Sequence, residues 1–149
     1  MSVAIIDIQG CMALNNEFIP KEIAVFYSSN HIQHMFSNTT SQQWVYNNYH
    51  ELTWDGAYLL QHTAFNMLRC NLKRVNKIYV KGLEKRNWIM ELLLNGSDGD
   101  CADKVVNLKE NYPSIRELKK QYPGELRCNN HNGACALQNV QLIKKIFSF

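Results

Sequence analysis

The 149-residue sequence contains no long apolar run, no internal repeat and no low-complexity tract. Uninterrupted apolar stretches extend only a few residues, as at Tyr58-Leu59-Leu60, far short of the ~18–20 needed to span a bilayer. The opening Met-Ser enters a strand-like run at once, without the basic segment and small-residue cleavage site of a secretory signal. These absences predict an intracellular protein, cytoplasmic or nuclear, with no membrane association. Strong charge bias is also missing: a formal charge of +3 and a pI near 8.6 permit nucleic-acid contact but fall short of a dedicated duplex binder. The five cysteines are odd in number, which argues against a full disulfide framework and, in a reducing compartment, leaves core packing or metal binding as their uses.

What is present is enough apolar material, 46% of residues, for one core. We read a single domain over residues 1–149. Val3 to Gly10 is a short β-branched run closed by glycine, which predicts a buried central strand. Its Asp7 is the exception, because a carboxylate in an apolar strand costs several kcal/mol of desolvation unless it is paired, protonated or bound to a cation. Glu17 to Tyr27 and His31 to Phe36 complete an expected three-strand antiparallel meander. A polar stretch from Ser37 to Gln43 then leads to a short aromatic helix or loop, Trp44 to His50, and a glycine turn at Gly56.

Tyr58 to Val75 spaces Leu59, Leu60, Ala64, Met67, Leu68 and Leu72 at the intervals of one helical face. Lys77 to Lys81 predicts a strand, Leu83 to Leu94 a helix, Val105 to Leu108 a strand, and Ser114 to Lys120 a helix introduced by Pro113. A final helix is expected over about Ala134 to Phe147. The meander followed by helix, strand, helix, strand and helix predicts an α/β fold with a mixed five-stranded sheet and helices on both faces.

The densest chemistry lies ahead of that final helix, in Cys128-Asn-Asn-His131-Asn-Gly-Ala-Cys135. Zn²⁺ takes four tetrahedral ligands, and two ligands separated by two loop residues can close on one ion. Cys128 and His131 have that spacing, Gly133 lets the chain turn, and Cys135 falls in the first helical turn, where the dipole favours a thiolate. The fourth ligand must come from elsewhere; His50, Glu51, Glu84 and Cys101 are the candidates. His50 is the best single choice if its loop packs on the last helix. Four protein ligands make such a zinc site structural. His31, His34 and His62 read as surface or packing residues, and Cys11 and Cys70 as small core hydrophobes.

Specific residues within this order of elements resemble the DEDD 3′–5′ exonucleases of the RNase H-like superfamily. Asp7-Ile-Gln9-Gly10 sits where those enzymes carry an Asp-x-Glu, Val80-Lys-Gly82-Leu-Glu84 resembles their second motif, and Ala136-Leu-Gln-Asn139 resembles the last-helix motif whose Asp completes the site. The resemblance implies an RNase H-like fold and a remnant catalytic pair, Asp7 and Glu84. It also implies a loss. Gln9 and Asn139 stand where two carboxylates would hold divalent cations, and Ala134 stands where a His-x-Ala-Leu pattern would begin, so binding of Mg²⁺ or Mn²⁺ should be abolished or severely weakened.

Cys128-x-x-His131 with Cys135-Ala-Leu resembles part of the Glu-Cys-His-Cys zinc site of the Maelstrom domain, an exonuclease relative without catalytic acids. In that resemblance Glu51 would reproduce the ligand type. The sequence is also similar to uncharacterised insect proteins, some tied to mobile or viral elements, through Ile6-Asp-Ile-Gln-Gly10 and Tyr79-Val-Lys-Gly-Leu-Glu84.

The expected function is therefore a catalytically degenerate domain, stapled by zinc, that binds RNA or another single-stranded nucleic acid, or a protein partner. Lys73, Arg74, Lys81, Lys85 and Arg86, with Lys77, are the candidate nucleic-acid contacts. Two rivals stand beside it: an active single-stranded nuclease, and a purely protein-interacting homodimeric module.

Overall fold

A seven-stranded mixed sheet forms the middle layer of the computed structural model, in the order β5-β4-β3-β2-β1-β6-β7. The structure describes residues 2–29, 31–37, 43–50, 53–94, 103–108, 112–124, 127 and 134–147, with the backbone alone at 43, 46, 48–50 and 53–57. In chain order the elements are β1 (Val3–Met12), β2 (Phe18–Tyr27), β3 (His31–Ser37), β4 (Gln43–His50) and β5 (Thr53–Leu60). Then come α1 (Gln61–Lys73), β6 (Lys77–Val80), α2 (Leu83–Leu94), β7 (Val105–Asn107), α3 (Ile115–Gln121) and α4 (Ala136–Lys144). Strands β1 to β5 pair antiparallel in sequence, whereas β6 runs parallel to both β1 and β7.

The α/β class, the mixed sheet and helices on both of its faces agree with the sequence reading, but among the described residues the sheet has seven strands rather than five. The difference lies in residues 43–60. Trp44 to His50 is a strand, not a helix or loop, and Thr53 to Leu60 is its hairpin partner, with His50 opposite Thr53. Helix α1 therefore starts at Gln61, because Tyr58-Leu59-Leu60 is claimed by β5. The physical reason is packing of one large side chain. Trp44 is fully buried and meets Phe65 of α1 edge-on, and Phe65 meets Trp88 of α2 in the same way, so the aromatic stack ties β4 to both helices.

Period-two alternation divides β1 between two cores. Ala4, Ile6 and Ile8 join Ile23, Val25, Met35 and Ile78 beneath α1 and α2, with Ala64, Leu68, Leu72, Ile89 and Leu93 facing them. Ile5 joins Ala24 and Phe26 beneath α4, against Ala136, Leu137, Val140 and Ile143. Asp7 is only 1% exposed and, by the same alternation, shares the α4 side of the sheet with Ile5. Ser114 caps α3, its hydroxyl accepting from the Glu117 N–H at 3.1 Å. Lys104 closes the C-terminus of α1, its ammonium donating to the Leu72, Lys73 and Val75 carbonyls at 2.9, 3.3 and 3.1 Å.

One irregularity shapes the functional end of the sheet. The β1–β2 register shifts between Gln9 and Gly10, so that Gln9 faces Glu22 and Gly10 faces Pro20, with Lys21 the extra residue. Such a bulge admits Pro20 to a strand interior and lets the strands close tightly at Gly10. A Cβ at Gly10 would lie 2.1 Å from the Ile19 carbonyl oxygen. Gly10→Ala is accordingly expected to destabilise the fold by about 1–3 kcal/mol, the usual cost of overpacking; an unchanged denaturant midpoint would contradict the close approach.

Among the described residues no helix is long and apolar enough to cross a membrane.

Candidate functional site

The carboxyl ends of the parallel strands gather a polar cluster around Asp7. Its Oδ1 accepts from the Lys85 ammonium at 2.8 Å. Its Oδ2 accepts from the Gln9 amide at 2.7 Å and from the Asn139 amide at 2.9 Å. An ionised carboxylate offers only acceptors, so both amides present their nitrogens to it. Asn139 is 3% exposed, and its Oδ1 meets no hydrogen-bond partner among the described residues. The desolvation cost of Asp7 is thus offset by one cation and two neutral donors from β1, α2 and α4.

Lys85 reaches Asp7 because α2 begins directly after β6. Gly82 makes that turn with φ +129, a conformation open to glycine, and its N–H donates to Asn107 Oδ1 of β7 at 2.9 Å. Glu84, the second expected catalytic residue, is exposed on the first turn of α2.

A second cluster adjoins the first, since Gln9 and Glu22 are direct cross-strand partners. Glu22, on β2, is 3% exposed. Its Oε1 accepts from the Ala136 N–H at the start of α4, at 2.8 Å, where the helix dipole favours an anion. Its Oε2 lies 2.7 Å from Nε2 of His34 and 3.8 Å from Sγ of Cys135. Because the carboxylate only accepts, the Nε2 of His34 carries the hydrogen. His34 is fully buried, and its Nδ1 has no partner among the described residues.

The two clusters share one organiser. Cys135 and Asn139 stand four residues apart at the start of α4, with the Asn139 N–H donating to the Cys135 carbonyl; side chains at that spacing lie on one helix face. The first is close to Glu22, and the second is bonded to Asp7.

Of the expected metal ligands, Cys135 and Glu84 have described side chains, and Glu84 is exposed on α2; Cys128, His131, Glu51 and Cys101 lie outside the described residues, and His50 is described by its backbone. Among the described residues no three His, Cys, Asp or Glu side chains are grouped so as to hold a metal ion by themselves. Cys135 is fully buried at the N-cap of α4. The register sets His50 against His31, while Phe36 of β3 faces Glu22. Five residues along β3 at about 3.3 Å each put the His50 backbone at the far end of the sheet from Cys135, which argues against it as fourth ligand.

Glu22 is the residue that sequence reasoning missed, together with His34. The signal was present: Glu22, like Asp7, is a carboxylate inside an apolar strand, ahead of Ile23-Ala24-Val25. The donor chemistry fits zinc as well. Sulfur and oxygen bound tetrahedrally at ~2.3 and ~2.1 Å stand roughly 3.6 Å apart, close to the 3.8 Å between Sγ and Oε2.

Other expectations change. Cys11 and Cys70 are exposed rather than core residues, Cys11 because it follows the bulge. The basic residues do not form one patch: Lys73, Arg74 and Lys77 sit at the amino end of β6, whereas Lys81, Lys85 and Arg86 follow its carboxyl end. Lys85 is moreover held by Asp7. Beside Gln9 and Glu22 a cavity of about 310 Å³ is lined also by Gly10, Lys21, Phe36 and Ser37.

The fold and site define an α/β protein with two adjoining buried polar clusters at one end of its sheet. The chain matches no known family model, no curated protein and no solved structure.

Proposed function

We propose that this chain is a degenerate nuclease-fold domain of the RNase H-like kind that binds single-stranded RNA without cutting it and is stapled by a structural zinc ion. The run of strands β3-β2-β1-β6-β7 supports the fold assignment, being a three-strand antiparallel meander continued by two parallel strands; the β4–β5 hairpin extends that arrangement at the other edge.

The observation that carries the loss of catalysis is the company kept by Asp7. Two-metal hydrolysis needs several carboxylates converging on hard cations. Here one carboxylate is met by the Lys85 ammonium at 2.8 Å and by two amide donors. A tethered ammonium competes for the position a cation would take, and Gln9 and Asn139 bring no negative charge to displace it.

Zinc would be held by Cys128, His131 and Cys135, with Glu22 in place of His50 as the fourth ligand. This set supplies two thiolates, one imidazole and one carboxylate, a closed structural site. Its contribution is to fasten α4 to β2.

For binding, the carboxyl end of β6 offers Lys81 and Arg86, and the cavity beside Gln9 offers Lys21, Ser37 and the half-buried ring of Phe36. Cations near an aromatic ring suit a strand that is held by its phosphates and stacked through its bases.

Incubating the purified protein with end-labelled single-stranded RNA, once with Mn²⁺ and once with EDTA, tests the reading. Intact RNA in both is expected, with binding that weakens as salt rises and weakens several-fold further in a Lys81→Glu, Arg86→Glu double variant. Cleavage that disappears in Asp7→Ala would sink the degenerate reading. Absence of salt-dependent RNA binding would leave a protein partner as the ligand.

A further inference from the structure

We infer that His34 is a positioning residue for zinc: it holds the Glu22 carboxylate so that Oε2 reaches the ion, without itself being a ligand. The inference rests on the zinc reading above and adds a residue to it from a different strand. Two atoms bound tetrahedrally to zinc at ~2.0–2.1 Å lie roughly 3.3 Å apart. The 2.7 Å between His34 Nε2 and Glu22 Oε2 is instead a charge-assisted hydrogen bond.

The oxygen that His34 holds is also the one nearest Cys135 Sγ, at 3.8 Å. The other oxygen is fixed by the Ala136 N–H. The carboxylate is thereby clamped at both ends, and its ion-facing oxygen is defined before any metal arrives. Outer residues that orient a metal ligand by hydrogen bonding are a general feature of zinc sites.

The surroundings make a packing role a poor account of His34. It is 0% exposed beside the Phe36 ring, on the same strand. Its register partner on β2 is Ala24, and that on β4 is Asn47. Burying an imidazole with Nδ1 unpartnered among the described residues costs stability that an apolar side chain of similar size would not. The hydrogen bond to Glu22 is what the imidazole supplies and an apolar residue could not.

The test measures zinc content by elemental analysis and zinc affinity by competition with a chelator, in the full chain and in His34→Phe and His34→Gln. The visible spectrum of the Co²⁺-substituted proteins is recorded beside them. The parent is expected to hold one zinc ion. His34→Phe is expected to weaken zinc binding 10–100-fold and to shift the cobalt bands, while His34→Gln, whose amide can still donate to Glu22, recovers affinity to within about threefold. Parent-like affinity and an unshifted cobalt spectrum in His34→Phe would overturn the positioning role while leaving the zinc site standing. A parent without stoichiometric zinc would overturn both. Should His34→Phe fail to fold, His34→Gln decides alone: a tenfold loss of affinity there would show that a donor at this place does not suffice, and would overturn the inference.

Discussion

Lys85→Met is expected to destabilise the protein by about 2–4 kcal/mol, one of the two largest effects foreseen for a single substitution. Removing one partner of a fully buried ion pair costs about 3–5 kcal/mol, because the other charge is left without compensation. Asp7 is 2% exposed in its side chain but Lys85 is 23% exposed, so solvent screening lowers the figure. Methionine keeps the length and apolar stem of lysine and removes only the ammonium. Asp7→Asn should cost less, since the freed Lys85 can turn toward water. The double variant Lys85→Met, Asp7→Asn should lie near Asp7→Asn alone, as expected for coupled groups. Urea denaturation of the four proteins reads this out; a Lys85→Met midpoint equal to the parent's would show that the ammonium does not balance Asp7.

The second large effect concerns zinc. Cys135→Ser is expected to abolish stoichiometric zinc and to lower stability by about 4 kcal/mol when the parent is measured with free zinc at roughly a thousandfold its dissociation constant, since a ligand that binds only the folded state stabilises it by that logarithm. The hydroxyl is isosteric with the thiol but a poor ligand for this ion. A chelator should bring the parent down to the Cys135→Ser level and leave the variant unchanged. If parent and variant melt together in excess zinc, the staple does not exist.

The elements bounded by turn residues were legible in the sequence. Helix α2 occupies the residues expected of it, α3 follows Pro113 one residue later than expected, and the β1 to β3 meander follows from β-branched runs broken by turn residues. Residues 43–60 were misread because Trp44 and Tyr58-Leu59-Leu60 carry no period that separates a strand from a helix at that length. Their assignment is made by Phe65 and Trp88, 21 and more residues away from Trp44, which no local pattern reveals. The site was half legible for a similar reason. Asp7 stood out as a charge in an apolar strand, and its partners Gln9 and Asn139 were read as neutral replacements. That Lys85 supplies the cation, and that Glu22 meets both His34 and Cys135, depends on a strand register and on the approach of α4 across more than a hundred residues.

That approach has a kinetic consequence. The hydrogen bonds that fasten α4 to the sheet span 114 residues from Glu22 to Ala136 and 132 from Asp7 to Asn139, whereas β1, β2 and β3 can pair through short turns. Contacts between distant residues require a large loss of chain freedom before they reward it. Until α4 docks, Asp7 and Glu22 face water rather than their donors, so one side of the sheet stays hydrated while the aromatic side beneath α1 and α2 can already close. Folding is thus expected to proceed in two phases, with near-complete strand pairing in the first and amide protection beneath α4 in the second.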